Sequence, residues 1–249
     1  MKFCYYLASI GNPNLDTKLT ILIDNLNYIY NDINNSFDII VNCYETDKNI
    51  INCIKNQINN LNFINNMYFY SKKGVLSELF LTNHFNDKIN NYDYLFFILD
   101  DVKIININIK DMIRIKNKLN ISIFSPKIIK ATHPWMYAYD NITINNFVEI
   151  YLLLLTPSDF NKYLKINTIE NKWLWGIDLL FGYYNIKAGI INNYIAEHAI
   201  PSIYTTEEQK QEPINLMVEY FKINTPFNNM NEILQIYKPA IYSLNINNL

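Results

Sequence analysis

The segment YLFFILDD, at residues 94–101, gives the strongest indication of the fold. A run of large apolar side chains without alternation predicts a strand that is covered on both faces, as in parallel sheets. The run ends abruptly at the adjacent carboxylates Asp100 and Asp101. We therefore predict a central strand over residues 94–99 that carries two acids at its carboxyl end.

The residues before this strand alternate strand and helix patterns. Apolar runs at residues 3–8, 38–44 and 67–70 predict three more strands. Apolar residues at helical spacing predict two helices between them, carrying Leu19, Leu22, Ile23, Leu26, Ile29 and Tyr30 in the first and Ile50, Ile51, Ile54, Ile58 and Leu61 in the second. A third helix follows Gly74. This order predicts an α/β fold with a mostly parallel sheet and helices on both faces.

The second half is less regular, and no repeat or linker divides it from the first. We predict one domain over residues 1–249. Its later elements are a helix near residues 110–119, a strand at 121–124, a loop at 125–140, a strand at 147–155 and a segment at 172–181 that is helical after its start. A helix with Pro213 in its first turn and a last helix with Met230, Ile233, Leu234 and Tyr237 follow.

Composition narrows the class of partner. The net charge of −2 and the lack of a lysine-rich stripe argue against a nucleic-acid binder and favour small molecules or glycans. The three cysteines show no metal-binding spacing, which indicates a reducing compartment. The first apolar run is too short for a membrane span and lacks a cleavage site, so we expect a cytoplasmic protein without a transmembrane segment.

Ligands of open parallel sheets bind beyond the carboxyl ends of the strands, where Asp100 and Asp101 are expected to lie. Two carboxylates at this edge are suitable for a divalent cation that bridges phosphates. Acidic pairs are also common in solvated turns, and the pattern alone leaves both interpretations open.

Two further segments contain side chains that could take part in a reaction. Asp178, in Trp175-Gly176-Ile177-Asp178, could accept a proton from an attacking hydroxyl, or simply stabilise a helix start. His198 could complete a metal site or bind a phosphate, although a single histidine is more often structural. Neither a phosphate-binding Walker loop nor a serine nucleophile motif is present.

Five segments taken together resemble a glycosyltransferase family known mainly from plant proteins described as related to lysine-ketoglutarate reductase trans-splicing. They are NYDYLFFILDDVKI, ISIFSPKI, NNFVEIYLLLL, WLWGIDLLFG and YIAEHAIPS, all within residues 72–202. The Trp-Gly-x-Asp and His-x-x-Pro-Ser motifs are the most specific. The resemblance implies the glycosyltransferase A fold, which is Rossmann-like, with a mixed, mainly parallel sheet flanked by helices.

The resemblance also assigns positions. Asp100 and Asp101 match the middle and last positions of an acidic D-x-D-like motif, whose first position is Leu99 here. The other matches are Ser125 and Pro126 in the Ser-x-Pro segment, Glu149 in the acidic position after Phe147-Val148, Asp178 in Trp-Gly-Leu-Asp, and His198, Pro201 and Ser202 in His-x-x-Pro-Ser. Asn192 stands where the family has an Asp.

The implied reaction transfers a sugar from a nucleotide diphosphate sugar to the hydroxyl of a glycan, lipid or protein. Asp178 would be the base of an inverting displacement, and Asp101 and His198 would hold Mn²⁺ or Mg²⁺. Residues 1–101 would form the nucleotide half, 102–205 the acceptor and catalytic half, and 206–249 the C-terminal helices. The donor would contact Ala8, Ser9, Gly11, Asn12, Lys72, Lys73 and Asp100, and the acceptor Trp135, Glu149, Trp173 and Trp175.

Three other functions remain as alternatives to a glycosyltransferase. A sugar nucleotidyltransferase normally has a glycine-rich basic loop after its first strand, but the loop here is IGNPN in a chain with five glycines. A methyltransferase is disfavoured for the same reason. A non-catalytic sugar-binding relative is favoured by Leu99 and Asn192, which replace expected acids.

Overall fold

The computed structural model describes residues 1–133, 141–200 and 206–236, and its first half follows the predicted alternation. The four predicted strands are confirmed with small differences at their ends, as are the three helices. They are β1 (Phe3–Leu7), α1 (Leu15–Ile33), β2 (Phe37–Cys43), α2 (Lys48–Asn59), β3 (Ile64–Ser71), α3 (Leu76–Leu81) and β4 (Tyr94–Ile98).

The second half contains more strands than the sequence pattern predicted. The helix near residues 110–119 and the last helix are confirmed, whereas the strands at residues 102–106, 142–145 and 188–198 were not predicted at all. The elements are β5 (Val102–Asn106), α4 (Ile109–Lys118), β6 (Ile123–Ile129), β7 (Ile142–Asn145), β8 (Leu152–Leu155), α5 (Pro157–Lys165), β9 (Ala188–His198), α6 (Glu207–Asn224) and α7 (Met230–Ile236). Tyr237 lies outside the described residues.

Two strand predictions in this half are wrong in extent. Residues 125–129 belong to β6 rather than to a loop, because Ser125 is fully buried and the segment pairs with β9. The apolar run at 147–155 forms a strand only over Leu152–Leu155. Phe147 and Val148 fill the core without joining the sheet.

Two helix predictions are also wrong. Residues 172–181 contain only a short 3-10 helix, Asp178–Leu180, because Leu174 and Gly176 have left-handed φ values of 59° and 78° that interrupt a helix. Pro213 lies inside α6 rather than in its first turn, since Thr206 caps a helix that already begins at Glu207.

The strands of the described residues form one nine-stranded sheet in the order β3-β2-β1-β4-β8-β6-β9-β5, with β7 pairing to β9. Strands β1 to β4 are parallel, and β6 and β9 run in the same direction as β4. Strands β8, β5 and β7 run the opposite way. The sheet is therefore mixed and mainly parallel, with helices packed against it.

The centre of the sheet is buried on both faces. Every residue of β1 and β8 is buried, and so are the four apolar residues that follow Tyr94 in β4. Aromatic rings of adjacent strands also pack on one face of the sheet, where Phe97 of β4 stacks on Tyr6 of β1 with centroids 5.7 Å apart. None of the helices in the described residues combines the length and apolar character needed to cross a membrane.

Strand direction determines where polar residues gather. The carboxyl ends of β1, β2, β4, β6 and β9 share one edge of the sheet, which we call the carboxyl edge. The antiparallel strands β5 and β8 begin at the same edge, because Val102 pairs with His198 and Leu152 pairs with Ile98. Segments far apart in the chain therefore meet there.

Candidate active site

The candidate site is centred on Asp101 and His198 at the carboxyl edge. Asp101 directly precedes β5, which pairs antiparallel with β9 so that Val102 faces His198. His198 Nε2 lies 3.1 Å from Asp101 Oδ2, and the Ala199 N–H donates to the Asp101 carbonyl at 2.8 Å. The pairing of two strands thus holds the imidazole against the carboxylate.

Neighbouring groups orient the His198 ring. Its Nδ1 lies 3.3 Å from the Lys130 carbonyl oxygen, which accepts a hydrogen bond from a protonated Nδ1. Tyr151 packs on the imidazole with centroids 4.7 Å apart, and its hydroxyl pairs with Thr132 Oγ1 at 2.8 Å. Burial lowers the pKa of His198, but the hydrogen bond and charge of Asp101, together with the Lys130 carbonyl and the Glu149 charge, make the net shift upward.

Glu149 and Asp178 form a second acidic group. Glu149 is 3% exposed, and its Oε1 accepts the His133 N–H at 3.1 Å. Asp178 is partly buried at the start of its 3-10 helix, and its Oδ1 accepts the Leu179 N–H at 3.1 Å. Burial, and next the Glu149 charge, raise the pKa of Asp178 to about 7. A carboxyl group with this pKa is suited to general base chemistry near neutral pH.

Asp100 is buried and paired with Lys18 of α1. The Lys18 Nζ lies 2.9 Å from Asp100 Oδ2 and donates to the Gly11 carbonyl at 3.0 Å and to the Tyr44 hydroxyl at 2.6 Å. Burial raises the pKa of Asp100 to about 6, the Lys18 charge opposes this shift, and the Asp101 charge adds to it. The two adjacent aspartates therefore have different environments.

The loop after β1 contains four of the predicted donor contacts and is tied to β2 and β4. The Ala8 N–H donates to the Ile98 carbonyl at 2.9 Å, and the Asn12 N–H donates to Glu45 Oε1 at 2.7 Å. A Cβ on Gly11 would lie 2.5 Å from the Tyr44 ring, so the loop can approach this ring only with glycine. The predicted contacts are Ala8, Ser9, Gly11 and Asn12, of which Ala8 and Gly11 are buried and Asn12 is exposed.

Lys72 and Lys73 are not brought to the Asp101–His198 pair. They follow β3, and β2 and β1 separate that strand from β4. At about 4.8 Å per strand, this places the lysine backbone about 14 Å from the end of β4. Lys72 donates its N–H to the Cys43 carbonyl at 3.0 Å, and Lys73 is exposed.

Trp173 and Trp175 are partly buried in the segment that leads to Asp178. The Trp175 carbonyl accepts a hydrogen bond from Asn171 Nδ2 at 3.0 Å. A Cβ on Gly176 would lie 2.5 Å from Phe221, so α6 packs closely on this segment. Trp135, Pro201 and Ser202 lie outside the described residues.

The two positions that lack an expected acid have structural contacts instead. Leu99 packs against the hydrophobic core and donates its N–H to the Tyr151 carbonyl at 3.0 Å. Asn192 lies in β9 and donates through Nδ2 to Thr143 Oγ1 of β7 at 3.2 Å.

Asp101 and His198 could hold a divalent cation only when a bound ligand supplies further oxygen atoms to it. Within the described ranges, no group of three or more His, Cys, Asp or Glu side chains could hold a metal ion. Asp101 Oδ1 is nevertheless buried without a hydrogen-bond partner there, and His198 Nε2 lies beside the other oxygen. Because phosphate oxygens and water can complete such a site, one or two protein ligands suffice.

Several residues of this edge were missed by sequence reasoning, namely Lys18, Tyr44, Glu45 and Tyr151. A signal existed for Lys18, which shares the buried face of α1 with Leu22 and Asn25. A lysine in an apolar stripe is unusual and indicates a buried partner. Tyr44 and Tyr151 carry no comparable signal in a chain with 20 tyrosines.

No family model and no curated protein matches the sequence. Solved structures do match the fold. The structure of GalNAc-T7 with UDP, GalNAc and Mn²⁺ matches over 90% of this chain and 48% of that protein, with 7% identity and a TM-score of 0.64. S. aureus TarS residues 1–349 with UDP match over 95% of this chain and 69% of that one, with 14% identity and a TM-score of 0.52.

A second structure of S. aureus TarS matches over 94% of this chain and 42% of that protein, with 13% identity and a TM-score of 0.53. The chain thus spans about half the length of the GalNAc-T7 structure. These similarities show that the chain has the glycosyltransferase A fold, as the sequence resemblance implied.

Proposed function

We propose that this chain is a metal-dependent glycosyltransferase that transfers a sugar from a nucleotide diphosphate sugar to an acceptor hydroxyl. The observation that carries the proposal is the 3.1 Å contact between Asp101 and His198, at the edge where this fold class binds ligands. The fold adds support, since its neighbours include structures with UDP and with UDP, GalNAc and Mn²⁺. We also infer membership of the family resembled by the sequence.

On this proposal, the loop after β1 and Asp100 hold the nucleotide, because they lie together at the carboxyl ends of the adjacent strands β1 and β4. Lys72 and Lys73 take the outer, nucleobase side of the donor, in keeping with their distance from β4. Ala8 and Gly11 contribute backbone, and Ser9 and Asn12 contribute the more exposed side chains of the loop.

Asp101 and His198 would hold Mn²⁺ or Mg²⁺ together with the diphosphate of the donor. When bound, such an ion neutralises charge on the leaving diphosphate. The chain itself supplies one carboxylate and one imidazole, and the contacts of His198 with Lys130 and Tyr151 fix the ring. An imidazole ligand favours Mn²⁺ over Mg²⁺.

Asp178 would act as the base. The acceptor oxygen attacks the anomeric carbon, its proton passes to the Asp178 carboxylate, and the bond from the anomeric carbon to the diphosphate oxygen breaks. A single displacement of this kind inverts the anomeric centre. Glu149 assists by raising the pKa of Asp178, so that the carboxylate is a stronger base.

The acceptor side would be formed by Glu149 and by aromatic faces that pack on sugar rings, those of Trp135, Trp173 and Trp175. The acceptor is a glycan, lipid or protein. We propose one domain over residues 1–249, with the nucleotide half ending at 101 and the acceptor half at 205, acting in the cytoplasm.

A thermal-shift screen of nucleoside diphosphates and nucleotide sugars, with and without MnCl₂, tests the proposal. A ligand that binds the native state raises the melting temperature by mass action. We expect one diphosphate to produce a manganese-dependent shift that Asp101→Ala abolishes. Asp93→Ala is the matched control, because Asp93 is exposed at the opposite end of β4. No shift with any nucleotide would contradict the proposal.

A non-catalytic nucleotide-binding relative is the second candidate, and it is favoured by Leu99, whose side chain packs on the core where an acid was expected. Hydrolysis of the donor separates the two candidates. Manganese-dependent release of nucleoside diphosphate from the sugar donor indicates a transferase, whereas binding without release indicates the binding relative.

A further inference from the structure

Lys18 is a buried cation at the carboxyl edge to which the proposed reaction assigns no role. Its side chain lies near the start of α1, and the residue is 7% exposed. Three oxygen atoms lie within 3.0 Å of its Nζ, namely the Gly11 carbonyl, the Tyr44 hydroxyl and Asp100 Oδ2. The Gly11 and Tyr44 oxygens accept hydrogen bonds from the ammonium group, and the Asp100 carboxylate forms an ion pair with it.

The three partners come from three neighbouring strand ends. Gly11 follows β1, Tyr44 follows β2 and Asp100 follows β4, and these strands are adjacent in the order β2-β1-β4. The contacts reinforce one another, since the Lys18 Nζ also lies 5.3 Å from the centre of the Tyr44 ring, against which Gly11 packs. One side chain therefore connects the elements to which the donor is assigned.

We propose that Lys18 is a positioning residue that holds the loop after β1, Tyr44 and the Asp100 carboxylate in the arrangement that binds the nucleotide of the donor. The inference rests on the proposed function. Lys18 acts through its three partners rather than by touching the sugar donor, because the side chain is buried and its ammonium group lies against these partners. Its removal should therefore weaken nucleotide binding by loss of preorganisation.

Lys116 provides a matched control elsewhere in the fold. It is 3% exposed, its Nζ lies 2.9 Å from Asp159 Oδ2, and it donates to the Ile121 carbonyl. Ile121 precedes β6, so this second buried ion pair lies at the opposite edge of the sheet. Both Lys18→Met and Lys116→Met remove a buried cation from a carboxylate, and both are expected to lower stability. Asp159 keeps contacts with Lys162 and Thr156 in Lys116→Met.

The experiment compares Lys18→Met, Lys18→Arg and Lys116→Met with the unmodified chain. The dissociation constant of the nucleoside diphosphate that binds the unmodified chain is measured calorimetrically with MnCl₂, at a temperature where circular dichroism shows each variant folded. We expect Lys18→Met to raise this dissociation constant by about tenfold or more and Lys18→Arg to raise it less. Lys116→Met should change the constant by less than about twofold. An unchanged constant in Lys18→Met, or an equal loss in Lys116→Met, would overturn the proposal.

Amide hydrogen exchange gives a second readout that needs no ligand. Lys18→Met should accelerate exchange in both the 9–14 and the 100–102 segments, whereas Lys116→Met should accelerate neither. If the unmodified chain binds no nucleoside diphosphate, the proposed function fails, and this measurement still tests the positioning role. Unchanged exchange at both strand ends in Lys18→Met would overturn that role.

Discussion

His198 Nε2 and Asp101 Oδ2 lie 3.1 Å apart although 97 residues separate them in the chain. The contact follows from the ladder between β5 and β9, which places Val102 opposite His198. Main-chain hydrogen bonds rather than flexible side chains thus set the distance. A pair fixed in this way is preorganised for a third group that both side chains can contact.

The identity of the ligand atoms predicts a metal preference. We expect Mn²⁺ to support nucleotide binding better than Mg²⁺, because an imidazole nitrogen is a poor ligand for Mg²⁺. His198→Asp replaces that nitrogen with oxygen and should reduce the ratio of Mn²⁺-supported to Mg²⁺-supported affinity by about fivefold or more. Titration of nucleoside diphosphate with each cation measures the ratio. His84→Asp, at an exposed site, is the control, and an unaltered ratio in His198→Asp would exclude His198 as a ligand.

The protonation of His198 is predicted to depend on Asp101. Burial lowers the pKa of His198, and the contacts with Asp101 are the largest of the causes that raise it. Asp101→Asn removes the charge but keeps the shape, so the pKa should fall. An NMR titration of the imidazole signals without metal measures it, with the His84 signals as an internal reference. A midpoint that stays in place or rises would contradict the assigned contact.

The sequence predicted the parts of the fold that depend on local pattern. The apolar run before Asp100 determined the central strand, and helical spacing identified α1 and α2. The predicted edge of the sheet also contained Asp101, since a parallel strand brings its last residues to the ligand-binding side. These are properties of short segments and need no knowledge of distant partners.

The missed features depend on pairing between distant segments. The register of β9 against β6 shifts between Ile191 and Ile195, where Asn192 and its neighbours interrupt the apolar pattern that would identify a strand. The position of Lys18 in the apolar stripe of α1 indicates a buried partner, but its three partners become known only when α1 packs against the ends of three strands. The resemblance was the only sequence observation that grouped His198 with Asp101 and Asp178.

Gly176 is predicted to be required for the segment that carries Asp178. Its φ is 78°, and a Cβ would lie 2.5 Å from Phe221 and 2.7 Å from Met217. Gly176→Ala should therefore lower the free energy of unfolding by about 2–4 kcal/mol. In Gly74→Ala the nearest atom is the end of the flexible Glu78 side chain, so the loss should stay below about 1 kcal/mol. Urea unfolding measures both, and equal losses would show that the contact with α6 is not tight.

Asp178 should reduce stability at neutral pH. Its pKa of about 7 in the folded state exceeds the ordinary value of 3.8, so the folded chain binds the extra proton between these values and loses stability as pH rises through them. Asp178→Asn cannot ionise and should be more stable by about 1–3 kcal/mol above pH 7, with little difference below about pH 4. Urea unfolding across this range tests the sign. A difference that is independent of pH would mean that the pKa is not raised.

Glu149 should set part of the pH dependence of transfer. Ionised Asp178 is the active base, so kcat/KM should rise with pH through a midpoint near 7. Glu149→Gln keeps the oxygen that accepts the His133 N–H but removes the charge that is the second cause of the raised pKa. The rising limb should therefore move to lower pH. The move should be smaller than the full shift, because burial still raises the pKa of Asp178. The weaker base should also lower kcat. Glu170→Gln, at an exposed site, should leave the limb in place. A limb that stays fixed in Glu149→Gln would mean that the group titrating in the profile is not Asp178, because no other change is made to the charges beside that carboxylate.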